Sequence, residues 1–182
     1  EAYYYQYHQQ FQKIKSKFLH VQYDPLSLIC KFGIPYLKRK SFRTKKKLGA
    51  STFWDVGCYP ISLISNLFDI KDFEVNYTKI FTPNKSDIDI KGVSILTNKF
   101  QQDIFLHWNM GLAYQNSIEL WHKDFYLKSD FIFSKSEKSI IKINYTDKHG
   151  LQTIEEVENK NSIDVFYKLI EKKILDDDFK KC

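Results

Sequence analysis

The sequence predicts an α+β domain, an open, mostly antiparallel β-sheet with helices packed on one of its faces. Three observations carry that reading. From residue 73 to 157 the chain runs through segments rich in Val, Ile, Phe, Tyr and Thr, broken by polar stretches such as Pro83-Asn84-Lys85-Ser86-Asp87 and Asn98-Lys99. No helical period separates them, which is the texture of an antiparallel meander. Helical periods occur only before and after that series, and segregated helices and strands build two layers. Aromatic residues make up 16% of the chain, with 12 Tyr and 15 Phe, a composition suited to a broad sheet rather than a bundle. With 182 residues, 43% of them hydrophobic, the chain is long enough to bury its own core and reads as one domain over 1–182.

The elements follow in order. Residues 2–8 read as a strand. Phe11, Ile14 and Phe18 give a helix over 9–18. Residues 26–34 form a second strand without clean alternation, as expected for burial on both faces. A basic loop covers 36–47. A helix runs from Ser51 or Thr52, either of which can be its N-cap, to about Phe68, with apolar residues at 53, 56, 63, 64 and 67. Strands are expected at 73–82, 88–98, 102–110, 114–121 and 139–145, with a further one at 151–157. Apolar residues at 163, 166, 169, 170 and 174 make Ile163 to Leu175 an amphipathic helix. Phe105, Trp108, Tyr114, Ile118 and Leu120, spread across the meander, predict an apolar outer sheet face suited to dimerisation.

The helix after the basic loop is chemically the richest part of the chain. Asp55 and Tyr59 lie four apart and share a face, which Ser62 and Asn66 extend as a polar stripe. Pro60 has no N–H to donate and should bend the helix beside Tyr59. A carboxylate one turn below a phenol at a bend is a candidate acid/base pair. The alternative is a surface Asp and a half-buried Tyr on an ordinary amphipathic helix, and spacing leaves both open.

Leu48, Gly49, Asp55, Val56, Gly57, Cys58, Tyr59 and Pro60 match the pattern L-G-G-G-A-L-x-D-[IV]-G-x-[YH]-P, with Gly49-Ala50-Ser51 replacing the triple glycine. Glu1-Ala2-Tyr3-Tyr4-Tyr5-Gln6-Tyr7-His8-Gln9-Gln10-Phe11-Gln12-Lys13-Ile14 is similar to E-A-F-M-Y-R-Y-H-P-Q-x-Q-K-[VI], with Gln9 in place of proline. Ala113 to Trp121 resembles the central strand, and Phe131-Ile132-Phe133-Ser134 the F-T-P-P run, of the sugar-ketoreductase-like branch. In this order the segments resemble the C-terminal, substrate-binding and oligomerisation domain of the glucose–fructose oxidoreductase/inositol dehydrogenase (GFO/IDH/MocA) family. The resemblance implies proton transfer by Tyr59, with Asp55 orienting the substrate hydroxyl or Tyr59 itself. It implies substrate contacts from Arg43, His8, Tyr7 and Tyr114, and Ser62 joins them from the polar stripe. It implies a sugar or nucleotide-sugar substrate, NAD or NADP as hydride carrier, and self-association through the open sheet face.

In that family a Rossmann domain precedes the E-A-F strand and carries the dinucleotide loop and an E-K-P lysine. This chain has neither: it contains six glycines and no G-x-G-x-x-G. It therefore reads as the C-terminal half of an oxidoreductase, inactive by itself and binding no NAD or NADP alone. The competing class is a non-catalytic oligomerisation or sugar-binding module that kept the fold.

Other chemistries find little support. The run from Lys38 to Lys47 holds seven positive charges in ten residues and dominates a net charge of +6. It reads as a solvated loop or a phosphate grip. No nucleic-acid partner is expected, since no recognition motif surrounds it. The five histidines (8, 20, 107, 122 and 149) form no metal-binding spacing. Cys30, Cys58 and Cys182 form no C-x-x-C and read as reduced thiols of a cytoplasmic protein. No apolar run approaches the ~20 residues a membrane helix needs, so no membrane partner is expected.

Overall fold

In the computed structural model, which describes residues 3–36, 42–84, 86–135, 139–159 and 162–175, the strands are β1 (Leu26–Ile34), β2 (Phe73–Phe81), β3 (Lys91–Asn98), β4 (Gln102–Met110), β5 (Gln115–His122), β6 (Phe125–Asp130), β7 (Ile141–Asp147) and β8 (Gln152–Val157). They form one sheet in the order β2-β3-β4-β1-β5-β6-β7-β8. Helices α1 (Gln9–Leu19) and α2 (Cys58–Leu67) cover one face, and α3 (Ser162–Leu175) closes the chain. The α+β class and the open, mostly antiparallel sheet are as expected.

The meander is interrupted. β1 inserts between β4 and β5, parallel to β4 and antiparallel to β5. The link Gly111-Leu112-Ala113-Tyr114 steps over the end of β1, a span of two strand spacings, about 10 Å, within reach of four extended residues. β1 also corrects its expected pattern. Leu26, Leu28, Cys30 and Phe32 are buried while Ser27, Ile29 and Lys31 are only partly so, so one face meets the helices and the other faces out.

Four further differences have local causes. The segment expected as a first strand is a 3-10 turn, Tyr4–Tyr7, in which Gln6 N–H bonds Tyr3 O and His8 N–H bonds Tyr5 O. Its Tyr5 ring, buried edge-on against Phe11 and Phe133, serves as a core plug rather than a ladder residue. β3 starts at Lys91 rather than 88, because Ile88 and Asp89 turn inward and are buried. β6 is a strand beyond those the sequence predicts, paired with β5 through a turn at Lys123-Asp124. In the basic loop, 42–44 and 46–48 form 3-10 turns, while 37–41 lie outside the described residues, as does Cys182.

The core lies between the helices and the inner sheet face. Phe11, Ile14 and Phe18 from α1 and Leu63, Ile64 and Leu67 from α2 pack on Leu28, Cys30, Ile104, Leu106, Ile118 and Leu120. Trp108, Ile118 and Leu120, expected on the outer face, belong to this buried layer, since their register aligns them with Gly92, Cys30 and Leu28. Phe105 and Tyr114 are exposed as expected. The outer face instead presents Tyr77, Phe81, Phe105 and Trp121, the last 70% exposed. α3 docks through Phe166, whose ring meets Tyr4 at 5.3 Å and Tyr7 at 5.1 Å. Among the described residues no helix is long and apolar enough to cross a membrane.

Candidate functional site

The site is built where α2 begins. Phe53–Gly57 forms a π-helical turn that passes into α-helix at Cys58. Wide turns of this kind recur at functional sites. Pro60 accounts for it: with no N–H, it cannot complete the bond to Val56 O that regular α-helix requires, and the backbone before it widens. The bend expected at Pro60 is thus expressed one turn earlier.

Two features hold that turn. Ser51 Oγ accepts from Trp54 N–H at 3.4 Å, in the role expected of an N-cap. Asp89, thirty-seven residues beyond Thr52, does more: its carboxylate accepts from Thr52 N–H (3.1 Å) and Phe53 N–H (2.8 Å). Thr52 Oγ1 donates in return to Asp89 O at 2.6 Å. A carboxylate on free N–H groups at a helix start is favourable both as a cap and against the helix dipole. Beneath the turn lies the buried indole of Trp108, on which Gly57 sits so closely that a Cβ there would lie 3.0 Å from the ring.

From this turn Asp55 reaches Arg43, with Nε 3.3 Å from Oδ1. Its second oxygen, Oδ2, is buried and has no partner among the described residues. Burial raises the Asp55 pKa and the Arg43 guanidinium pulls it back without cancelling the rise. An unpaired buried carboxylate oxygen is costly, and a ligand hydroxyl donating to it would relieve that cost.

Tyr59, half-buried, stands among aromatic rings, edge-on to Tyr3 and Phe32 (both 5.2 Å) and 5.6 Å from Phe133. Behind it, Ser62 faces inward, its hydroxyl 3.0 Å from the Tyr5 hydroxyl. Tyr114 lies at the neighbouring sheet end, its hydroxyl 2.6 Å from Ser134 Oγ and accepting from Asn116 Nδ2 at 2.8 Å. Asn116 Oδ1 in turn holds the Phe133 N–H at 2.9 Å. The Tyr59 and Tyr114 neighbourhoods are therefore joined through Phe133. Tyr7 packs on α3 instead.

His8 is buried, 2% exposed, and caps α1: its Nδ1 accepts from Gln10 N–H at 3.1 Å. Burial, aided by the charge of Lys135, lowers its pKa from 6.5 to about 4. The unfolded chain therefore takes up this proton near pH 6.5 and the folded chain only near 4. The contribution is complete above pH 6.5 and is lost as the pH falls towards 4, amounting to about 2–3 kcal/mol. His8→Asn keeps a capping acceptor without the titration. Urea unfolding at pH 7 and pH 4.5 should show wild type losing more stability than His8→Asn; parallel losses would refute a neutral, capping His8.

Asp89, Trp108 and Asn116 belong to the site although no sequence pattern marks them. Gly57, within the motif, was the one available sign of close backbone approach; the cap from Asp89 left no local trace. Among the described residues no group of three or more His, Cys, Asp or Glu is placed to hold a metal ion.

No protein-family model matches the sequence, and no curated protein matches it. Solved structures do match in fold. KijD10, a 3-ketoreductase from Actinomadura kijaniata in complex with NADP and TDP-benzene, superposes with a TM-score of 0.85 at 18% identity, over 97% of this chain and 54% of that one. An aldose-aldose oxidoreductase from Caulobacter crescentus, complexed with glycerol, gives 0.80 at 13% identity over 96% and 52%. UDP-N-acetylglucosamine 3-dehydrogenase GnnA from Acidithiobacillus ferrooxidans gives 0.64 at 10% over 88% and 47%. The chain thus spans about half the length of these neighbours. At such identities the likeness is one of fold, and these neighbours are sugar oxidoreductases, consistent with the family that the sequence motifs resemble.

Proposed function

We propose that this chain is the substrate-binding and oligomerisation half of an NAD(P)-dependent oxidoreductase acting on a sugar or nucleotide-sugar. One observation carries the reading: Asp55, held by Arg43 on a widened turn just before Tyr59, keeps one buried oxygen without a partner. In this reading Asp55 accepts a substrate hydroxyl and fixes its orientation, and Tyr59 moves the proton of the reacting hydroxyl. Phe32, Phe133 and Tyr3 wall Tyr59 and limit water around it. The residues present do not make a dinucleotide site, because no glycine-rich phosphate loop occurs in the chain; a nicotinamide held elsewhere would supply the hydride. The test is nicotinamide absorbance in the full-length parent, incubated with nucleotide-linked and free ketosugars. Absence of turnover with every member of both sets would count against the reading.

A second reading, a non-catalytic oligomerisation module, is favoured by the outer sheet face, where Tyr77, Phe81, Phe105 and Trp121 stand exposed. Both readings expect self-association through that face. Light scattering on the chain, 21.8 kDa as a monomer, should report about twice that mass, and Phe105→Glu should halve it. A strict monomer at high concentration would refute the interface without touching the proposed chemistry.

A further inference from the structure

Beyond Phe133, at the end of β1 and β5, lies a cavity of about 340 Å³ lined by Tyr114, Phe131, Ser134, Lys135 and Ser139. Its lining is rich in hydrogen-bond donors. The Lys135 ammonium gives one bond, to Ile132 O at 2.9 Å, and no carboxylate pairs with it among the described residues. Tyr114 Oη and Ser134 Oγ lie 2.6 Å apart, and the Tyr114 hydroxyl also reaches Ser134 O at 3.3 Å; with Tyr114 donating inside the loop, the Ser134 hydroxyl hydrogen is the one available to a ligand. Phe131 is held at φ +59, a conformation non-glycine residues seldom adopt, with its N–H on Asn116 O at 2.6 Å. That turn brings Ser134 and Lys135 to the cavity, and strain of this sort collects at ligand sites.

We propose that this cavity is an oxyanion subsite that holds the diphosphate of a nucleotide-sugar through Lys135 and Ser134, with Tyr114 orienting the Ser134 hydroxyl. It rests on the reading of Tyr59 as the reacting group, whose ring lies 5.6 Å from that of Phe133, the neighbour of Ser134 in the cavity loop. Burial lowers the Lys135 amine from 10.5 to about 7, as for a cation lacking its counter-charge, and a bound phosphoryl group supplies that charge. Among the described residues the cavity carries one cation and no carboxylate, a lining that discriminates against neutral sugars, so the subsite selects the nucleotide-linked form of the substrate.

The experiment is calorimetric titration of the 182-residue chain with UDP, inorganic pyrophosphate, uridine and glucuronate. UDP should bind, pyrophosphate should compete with it, and uridine should bind at least about tenfold more weakly. Lys135→Met should weaken UDP by about tenfold or more, while Lys135→Arg stays within a few-fold of wild type. Should Lys135→Met fail to fold, Ser134→Ala provides the same test with a smaller loss, about threefold. Glucuronate binding that is lost in Lys135→Met, without UDP binding, would support an oxyanion site while overturning its assignment to phosphate. Absent binding of all four ligands, or UDP affinity indifferent to both substitutions, would overturn the site. These titrations need no turnover, so their failure and the failure of the oxidoreductase reading are separately visible.

Discussion

Gly92→Ala should lower stability by about 1–3 kcal/mol, the usual cost of overpacking, and reduce the melting temperature by roughly 2–12 °C in a chain of this size. Gly92 on β3 is the register partner of Trp108 on β4. A Cβ there would fall 2.1 Å from Trp108 Cζ2 and 2.3 Å from Cε2. The indole has little room to retreat: Gly57 of the π turn packs so near its five-membered ring that a Cβ there would lie 3.0 Å away, and the Phe53 ring meets it at 5.5 Å between centroids. Trp108→Phe removes the atoms that clash, and because Trp108 Nε1 has no partner among the described residues, that change breaks no hydrogen bond. The double variant should therefore melt above the sum of the single losses, a coupling expected of touching residues. Melting of Gly92→Ala within a degree of wild type would show that Trp108 does not pack as described. Because the π turn rests on the same indole, the variant should also disturb Asp55.

Much of this fold is legible in the sequence because local period and burial agree. β4 occupies the expected 102–110, and α1 and α3 fall within a residue of their apolar periods. β6 escaped because its turn, Lys123-Asp124, carries neither Gly, Asn nor Pro, and because a six-residue strand holding Lys128 and Asp130 shows little apolar pattern. The insertion of β1 between β4 and β5 pairs residues 76 to 96 positions apart, such as Leu28 with Ile104 and Leu120, and no local pattern encodes such a partner. The candidate site divides the same way. Arg43, Asp55 and Tyr59 lie in or beside one motif. Asp89 and Lys135 depend on what the folded chain brings to them: the N–H groups of Thr52 and Phe53 for one, and the burial around Ile132 for the other.

In the whole oxidoreductase proposed for this chain, Tyr59→Phe should lower turnover by about 10²–10⁴-fold, the usual loss when a general acid/base is removed, with little change in substrate affinity. The substitution deletes one oxygen and keeps the ring that Tyr3, Phe32 and Phe133 contact, so packing should survive. If Tyr59 were only a packing residue, the same change would cost at most about 1–1.5 kcal/mol of stability for a lost hydrogen bond and leave the rate alone. Asp55→Asn separates orientation from proton transfer. Asn keeps an acceptor for a ligand hydroxyl but loses the charge that pairs with Arg43 at 3.3 Å. An orienting Asp55 therefore predicts a smaller loss than Tyr59→Phe, appearing largely as a raised KM, whereas a shared proton path predicts an equal loss in kcat. Turnover and melting temperature measured on the same preparations decide among these outcomes. An unimpaired rate in Tyr59→Phe would remove Tyr59 from the chemistry, and with it the reason for reading the Asp55 turn as an active site.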